Sequence, residues 1–128
     1  MELSESQENV EIVRRFVVGD LEDALVYADP DIVWNPIEEE ASQGPDAVRA
    51  SMARWMGEWD EYEQVVEELI DLGDRVFGTF SLRGRGRGSG IEIDQRLYSV
   101  YTLRDGKVAR MDEYATRAEA LEAAGLSE

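Results

Sequence analysis

The sequence predicts an α+β domain in which helices pack on one face of a curved antiparallel sheet. Three observations predict it. Helical periodicity fills the first third of the chain, and two hairpin signatures fill the second half. The 128 residues, 43% of them hydrophobic, suffice for one core and not for two, so residues 1–128 are expected to be a single domain.

Val10, Val13 and Val17 recur at helical spacing, and Ile12 and Phe16 widen the stripe into a face. Ser4 and Gln7 have the spacing of a capping box ahead of it. Gly19 is expected to end this helix and Asp20 to cap a short second one, with Leu21, Ala24, Leu25 and Ala28 on one face. Asp29-Pro30-Asp31 breaks the pattern. A short strand is expected over Ile32 to Ile37, followed by an acidic loop from Glu38 to Glu40. Gly44-Pro45 opens a third helix, because proline's fixed φ suits the first helical position. Its inner face is Val48, Met52, Trp55 and Trp59, with Met56 beside them.

Strands are expected from Tyr62 onward. In Tyr62 to Leu72 the spacing of Val65, Val66, Leu69 and Ile70 also fits a helix, and the hairpins that follow favour a strand. The first hairpin contains Arg83-Gly84-Arg85-Gly86-Arg87-Gly88-Ser89-Gly90, which invites comparison with a nucleic-acid-binding segment. A two-residue turn at Gly88-Ser89 sorts it differently. Arg85 then faces Glu92 and Arg83 faces Asp94, while on the other face Leu82 meets Gln95, Phe80 meets Leu97, Gly78 meets Ser99 and Val76 meets Tyr101. Gly78, Gly84 and Gly86 fall on the apolar face, where missing side chains let the sheet bend and leave room above it. The stretch reads as a bent hairpin.

The second hairpin turns at Arg104-Asp105-Gly106. A two-residue Asp-Gly turn would bury Arg110, Asp112 and Tyr114, whereas a three-residue loop buries Ala109, Met111, Glu113 and Ala115. Burying Arg and Asp together costs more than burying one Glu, so the three-residue loop is expected. Thr116 and Glu119 have capping-box spacing for a last helix, Arg117 to Ala124, stopped by Gly125.

Composition excludes several functions. There is no Cys and no His, so disulfides, thiol nucleophiles and ordinary zinc sites are ruled out. No carboxylate spacing suggests a metal site, and neither metal nor cofactor is expected. The net charge of −16 repels polyanions, so no nucleic-acid partner is expected. No apolar run approaches the roughly 18 residues of a membrane span, and the acidic N-terminus is unlike a signal peptide. A cytoplasmic protein without a membrane partner is the expectation.

Helix, helix, strand, helix and a meander of bent strands resembles the nuclear transport factor 2-like superfamily, especially its ketosteroid-isomerase and SnoaL-like (polyketide cyclase) branches. The wording that carries it is Val13-Arg14-Arg15-Phe16, Gly19-Asp20-Leu21, Tyr27-Ala28-Asp29, Val33-Trp34-Asn35-Pro36, Gly44 before helix three, and Leu103-Arg104-Asp105-Gly106-Lys107-Val108. The resemblance implies a cone-shaped curved antiparallel sheet, three N-terminal helices on its concave face, a short C-terminal helix, and a homodimer joined through the outer sheet face. It says little about the reaction, because one fold carries many activities. The ketosteroid isomerases' helix-one tyrosine matches Phe16, their aspartate base matches Asn35 and their second acid matches Ser99. Only a supporting tyrosine persists, as Tyr27. Steroid isomerisation by that mechanism is therefore not expected. In the cyclase and epoxide-hydrolase branches the key acid lies on the last strand, and Glu113 matches it.

Glu113 is the leading candidate: in an apolar pocket its pKa would rise toward the range of general acid-base work. Asn35 and Tyr27 would orient the substrate. The expected binding wall is Phe16, Trp34, Trp55, Phe80, Leu97, Ser99, Tyr101 and Met111, with Trp59 as a further aromatic lining residue. Each of these also reads as ordinary core. Tyr98 and Val100 on the outward face expose apolar surface, which fits the homodimer. The expected function is a cofactor-free enzyme of isomerase, cyclase or hydrolase type acting on a compact hydrophobic carbonyl compound. The alternative is a non-catalytic ligand-binding protein or dimeric scaffold of the same fold.

Overall fold

The computed structural model describes residues 5–18, 21–37 and 40–125. The elements are α1 (Glu5–Val18), α2 (Leu21–Leu25), β1 (Ala28–Asn35), β2 (Ser42–Gln43), α3 (Pro45–Gly57), β3 (Trp59–Asp71), β4 (Arg75–Gly86), β5 (Glu92–Arg104), β6 (Lys107–Tyr114) and α4 (Arg117–Ala123). The strands form one curved, unclosed sheet in the order β2-β1-β6-β5-β4-β3. Every neighbouring pair is antiparallel except β1 and β6, which run parallel. Ser4, Gly19, Asp20, Glu38 and Glu39 lie outside the described residues.

The two faces of the sheet bury separate cores. On the inner face Val13 and Phe16 of α1, Ala24 of α2 and Val48 of α3 pack against Ile32, Trp34, Val76, Phe80, Leu82, Tyr101, Leu103, Val108 and Met111. On the outer face Ala120, Leu121 and Ala124 cover Phe77 and Val100. This corrects the expectation of exposed apolar surface there: Val100 is 3% exposed beneath α4, and Tyr98 is half-buried beside it. No helix among the described residues is long and apolar enough to cross a membrane.

Local chemistry explains where the elements begin and end. α2 stops at Leu25 because β6 captures the next backbone: the Val108 N–H donates to the Tyr27 carbonyl at 2.7 Å, and Ala28 pairs with Val108. Ala28 therefore starts β1 instead of extending the helical face. The register of β1 shifts between Ala28 and Val33, which accommodates Pro30, a residue with no N–H to give a ladder. Asp29 in this segment accepts from the Asp31 N–H and Arg104 Nη2, both at 2.8 Å. Pro45 occupies the first turn of α3 as expected, after Gly44 at φ 88°. That helix ends at Gly57, so Trp59 belongs to β3, and Met56 is 48% exposed instead of inward. Residues 62–71 are strand, as the hairpin argument favoured.

In the β4–β5 hairpin all six expected pairs form, from Arg85 with Glu92 to Val76 with Tyr101. The turn itself differs. The Gly86 N–H donates to the Ile91 carbonyl at 2.8 Å and the Gly90 N–H to the Gly86 carbonyl at 3.0 Å, so residues 87–90 form a four-residue connection. Gly88 and Gly90 both take positive φ, at 80° and 68°. The register survives because two- and four-residue loops share one centre. The room expected above the glycines is filled: a Cβ on Gly78 would lie 2.6 Å from the Phe80 ring, and one on Gly84 3.0 Å from Trp59.

In the β5–β6 hairpin the expected three-residue loop is replaced by a two-residue turn and a bulge. Arg104 pairs with Lys107 across Asp105 (φ 52°) and Gly106 (φ 77°), the positive angles of a type I′ turn. That turn alone would put Arg110, Asp112 and Tyr114 inside. The register then shifts: Leu103 pairs with Val108 but Thr102 with Arg110, and Ala109 is the extra residue. Met111 and Glu113 consequently face inward as expected, and the bulge sets them opposite Tyr101 and Ser99, while Val108 takes the inner position assigned to Ala109. Thr116 caps α4, accepting from the Glu119 N–H at 3.2 Å, and Gly125 follows at φ 82°.

Candidate functional site

Glu113 is placed by the Ala109 bulge on the inner face near the end of β6, directly across from Ser99. Side chains at such opposed positions stand about 5 Å apart at Cβ. Tyr101 follows Ser99 two residues on and shares its face. The Tyr101 ring is wedged between Phe16 (6.3 Å between centroids) and Phe80 (6.1 Å), both edge-on. Burial holds the Tyr101 hydroxyl protonated far above the usual tyrosine range; the Glu113 charge adds to this and the nearby Ser99 hydroxyl opposes it. Tyr62 of β3 reaches the same region. Its hydroxyl donates to Gln64 Oε1 at 3.1 Å, and its pKa is raised by burial, against the Trp55 side chain and with the Glu113 charge. Trp55, Trp59 and Tyr62 form an aromatic trio with centroids 5.2 to 6.2 Å apart.

Three buried polar atoms have no hydrogen-bond partner among the described residues: Ser99 Oγ, Trp34 Nε1 and Trp59 Nε1. The Ser99 residue is 0% exposed.

Most of the expected wall is brought together on the inner face. Phe16, Trp34, Phe80, Tyr101 and Met111 are buried there, Leu97 packs against them, and Ser99 lies in their midst. Trp55 joins through α3 and the aromatic trio. Tyr27 packs against the edge of this group away from Glu113, and Asn35 is not part of it. Asn35 pairs in register with Asp112, which faces outward, and its Nδ2 donates to Asp112 Oδ1 at 2.7 Å. Arg110 Nε completes that outer network at 2.8 Å from Asp112 Oδ2. Tyr27 precedes the Ala28–Val108 pair, and Val108 lies five residues before Glu113 on β6, a backbone span of roughly 16 Å at about 3.3 Å per residue. Its hydroxyl accepts from Arg15 Nη1 at 3.4 Å.

The residue missed from sequence is Tyr62. Strand alternation from Val66 back through Gln64 would have placed it inward, but the helix-compatible spacing of that segment obscured it. A groove of about 740 Å³ lies away from Glu113, among Glu61, Tyr62, Glu63, Arg83, Gly84, Arg85, Glu92, Ile93 and Asp94. No group of three or more Asp and Glu side chains among the described residues is placed to hold a metal ion.

Several solved structures share this architecture. A SnoaL-like polyketide cyclase homologue from Jannaschia sp. CCS1 superposes with a TM-score of 0.80 at 24% identity, covering 97% of this chain and 96% of its own. A nuclear transport factor 2-like protein from Burkholderia thailandensis E264 gives 0.78 at 23%, covering 88% and 95%. TerC, co-crystallized with polyporic acid, gives 0.75 at 21%, covering 92% and 98%. At these identities the likeness shows the fold alone. No curated protein matches the chain. Residues 10–111 match the profile of the SnoaL-like domain. That is most of the chain, and the protein belongs to the SnoaL-like domain family.

Proposed function

We propose that the protein is a cofactor-free enzyme that performs acid-base chemistry on a compact, hydrophobic, carbonyl-containing molecule, with Glu113 as the proton-transferring group. The observation that carries this reading is the inward Glu113 carboxylate, set across from Ser99 among aromatic side chains. A carboxylate so placed can take a proton from the carbon next to a carbonyl and return it elsewhere, in the manner of an isomerase or cyclase. Tyr101 and Tyr62 are hydroxyl donors that stay protonated at neutral pH, suited to stabilising the oxyanion that forms. Asn35 and Tyr27 have no part in this proposal, because one bonds on the outer face and the other lies at the far end of β6. Phe16, Asn35 and Ser99 stand where the ketosteroid isomerases carry their three central groups, so the chemistry proposed is not steroid isomerisation by that set. A homodimer through the outer sheet face is proposed with it, now resting on the parts of that face that α4 leaves uncovered.

The test is exchange of the α-protons of 2-tetralone into D2O, followed by NMR. The protein should accelerate exchange over buffer, and Glu113→Gln should remove at least about 100-fold of that acceleration, the usual weight of a general base. Undiminished exchange by the variant would eliminate Glu113. One observation favours a second reading, a non-catalytic binder or dimeric scaffold: the 740 Å³ groove is at the strand tips and not at Glu113. Binding of 2-tetralone without any accelerated exchange would support that reading.

A further inference from the structure

Tyr62 can give one proton, and Gln64 already takes it. The two stand two residues apart on β3, Gln64 pairs with the buried Leu82, and both are half-buried on the inner face. The Tyr62 hydroxyl donates to Gln64 Oε1 at 3.1 Å. A third group fixes the direction of that bond. The Trp55 side chain also hydrogen-bonds to the Tyr62 hydroxyl, and an indole N–H can only donate. The Tyr62 oxygen is therefore the acceptor toward Trp55, and its proton points to Gln64. Tyr62 lies at the same time within electrostatic reach of Glu113 and Tyr101. A hydroxyl suited to meeting an oxyanion is thus engaged within the chain itself. Because a partly buried hydroxyl needs an acceptor, this bond serves the fold. It serves a ligand badly.

We propose that Gln64 is a competing acceptor: its amide oxygen takes the hydrogen bond from Tyr62 that a ligand's oxyanion would take, and so holds down the affinity of the site. Gln64 is then a positioning residue that acts through Tyr62. An anionic oxygen displaces it, because a charge-assisted hydrogen bond is roughly twice as strong as a neutral one. The ligand gains only the difference between the two bonds, not the whole of its own. A neutral ketone oxygen accepts less strongly than an amide oxygen, whose nitrogen feeds it electron density, and it leaves the Tyr62–Gln64 bond in place. Tyr62 is consequently reserved for the charged oxygen that appears once a proton has been removed. Stability and affinity pull against each other at this one atom. The inference rests on the reading of Tyr62 as an oxyanion donor, as proposed above, and not on Glu113 being the base.

The test is binding of 4-nitrophenolate, a coloured phenolate, followed by its absorbance. All proteins carry Glu113→Gln, which removes a carboxylate charge that would repel the anion and stands for Glu113 after it has taken a proton. Adding Gln64→Met keeps the side-chain length and removes the acceptor. It should tighten phenolate binding about 5-fold, the order of one neutral hydrogen bond, while lowering the thermal midpoint. Adding Gln64→Glu instead supplies a stronger acceptor and should weaken binding at least about 5-fold. A merely structural role for Gln64 would move both variants the same way. In a Tyr62→Phe background both substitutions should change the affinity less than about 2-fold, a share of one hydrogen bond too small to count. Weaker binding in Gln64→Met, or effects that persist without the Tyr62 hydroxyl, would overturn the inference. A parent protein that binds no phenolate would overturn it together with the oxyanion role of Tyr62. Since none of these proteins carries the proposed base, failure of the catalytic reading shows separately, in the 2-tetralone exchange of the wild type.

Discussion

Asp112 and Glu113 are adjacent carboxylates on one strand, yet they belong to different environments. Asp112 points outward, where Asn35 and Arg110 bond it, and Glu113 points inward toward Ser99 and the tyrosines. A family comparison made by position alone puts Asn35 in the site, because it follows the first strand where an aspartate base is expected. The pairing of Trp34 with Met111 and Asn35 with Asp112 decides otherwise. Asn35→Asp would therefore not restore a base. It would set a second carboxylate against Asp112 in place of a 2.7 Å hydrogen bond, and like charges at such separation repel. The expected outcome is a loss of about 1 kcal/mol in chemical denaturation, the usual net worth of one hydrogen bond, with no gain in ketone exchange.

The element that decides the site is the β5–β6 hairpin. Its type I′ turn and the Ala109 bulge each reverse the inside-outside pattern of β6, and together they leave Met111 and Glu113 inside. Deleting Ala109 keeps the turn but removes the second reversal. The deletion variant must then either bury Arg110 and Asp112 or break pairing with β5. It should lose at least about 3 kcal/mol, the scale of a charge buried without its partner, and a lowered urea midpoint would register it. This hairpin also marks how far the sequence could be read. The faces of β4, β5 and β6 were legible because charge and hydrophobicity alternate at period two, and misplacing a face would have buried Arg or Asp. The turn and bulge were not legible, because a three-residue loop gives the same faces and alternation reports parity alone. In the β4–β5 hairpin the same limit hid a four-residue connection behind a two-residue one with the same centre. The orientation of β1 was also beyond reach, since its parallel pairing with β6 joins residues nearly 80 positions apart, and with it went the place of Asn35.

At the scale of the whole molecule, two fields act on stability. One is the buried tyrosine hydroxyls, led by Tyr101, whose folded pKa is raised by burial and by the Glu113 charge. A raised folded value means that the native state holds its proton where the unfolded chain, at a pKa near 10, releases it. That contribution is fully present below about pH 10 and is lost as pH rises toward the folded value. Thermal midpoints should fall above pH 10, and Tyr101→Phe should flatten that fall. The other is the net charge of −16, whose self-repulsion opposes compaction. It is relieved by protons at the acid end of the pH scale, where a different weakness emerges.

β3 is an edge of the sheet, thirteen residues long, and no strand among the described residues pairs with its outer backbone groups. It carries Asp60, Glu61, Glu63, Glu67, Glu68 and Asp71, so two molecules that approach through this edge bring twelve carboxylates together. Those charges act as a guard against strand-to-strand stacking between molecules, a known hazard of long open edges. The guard works together with the net negative charge of the whole molecule, which vanishes near the isoelectric point of about 4.3. Light scattering on acidification should therefore rise near that pH, and replacing Glu63 and Glu67 by lysine should suppress the rise, because lysine keeps its charge where glutamate does not.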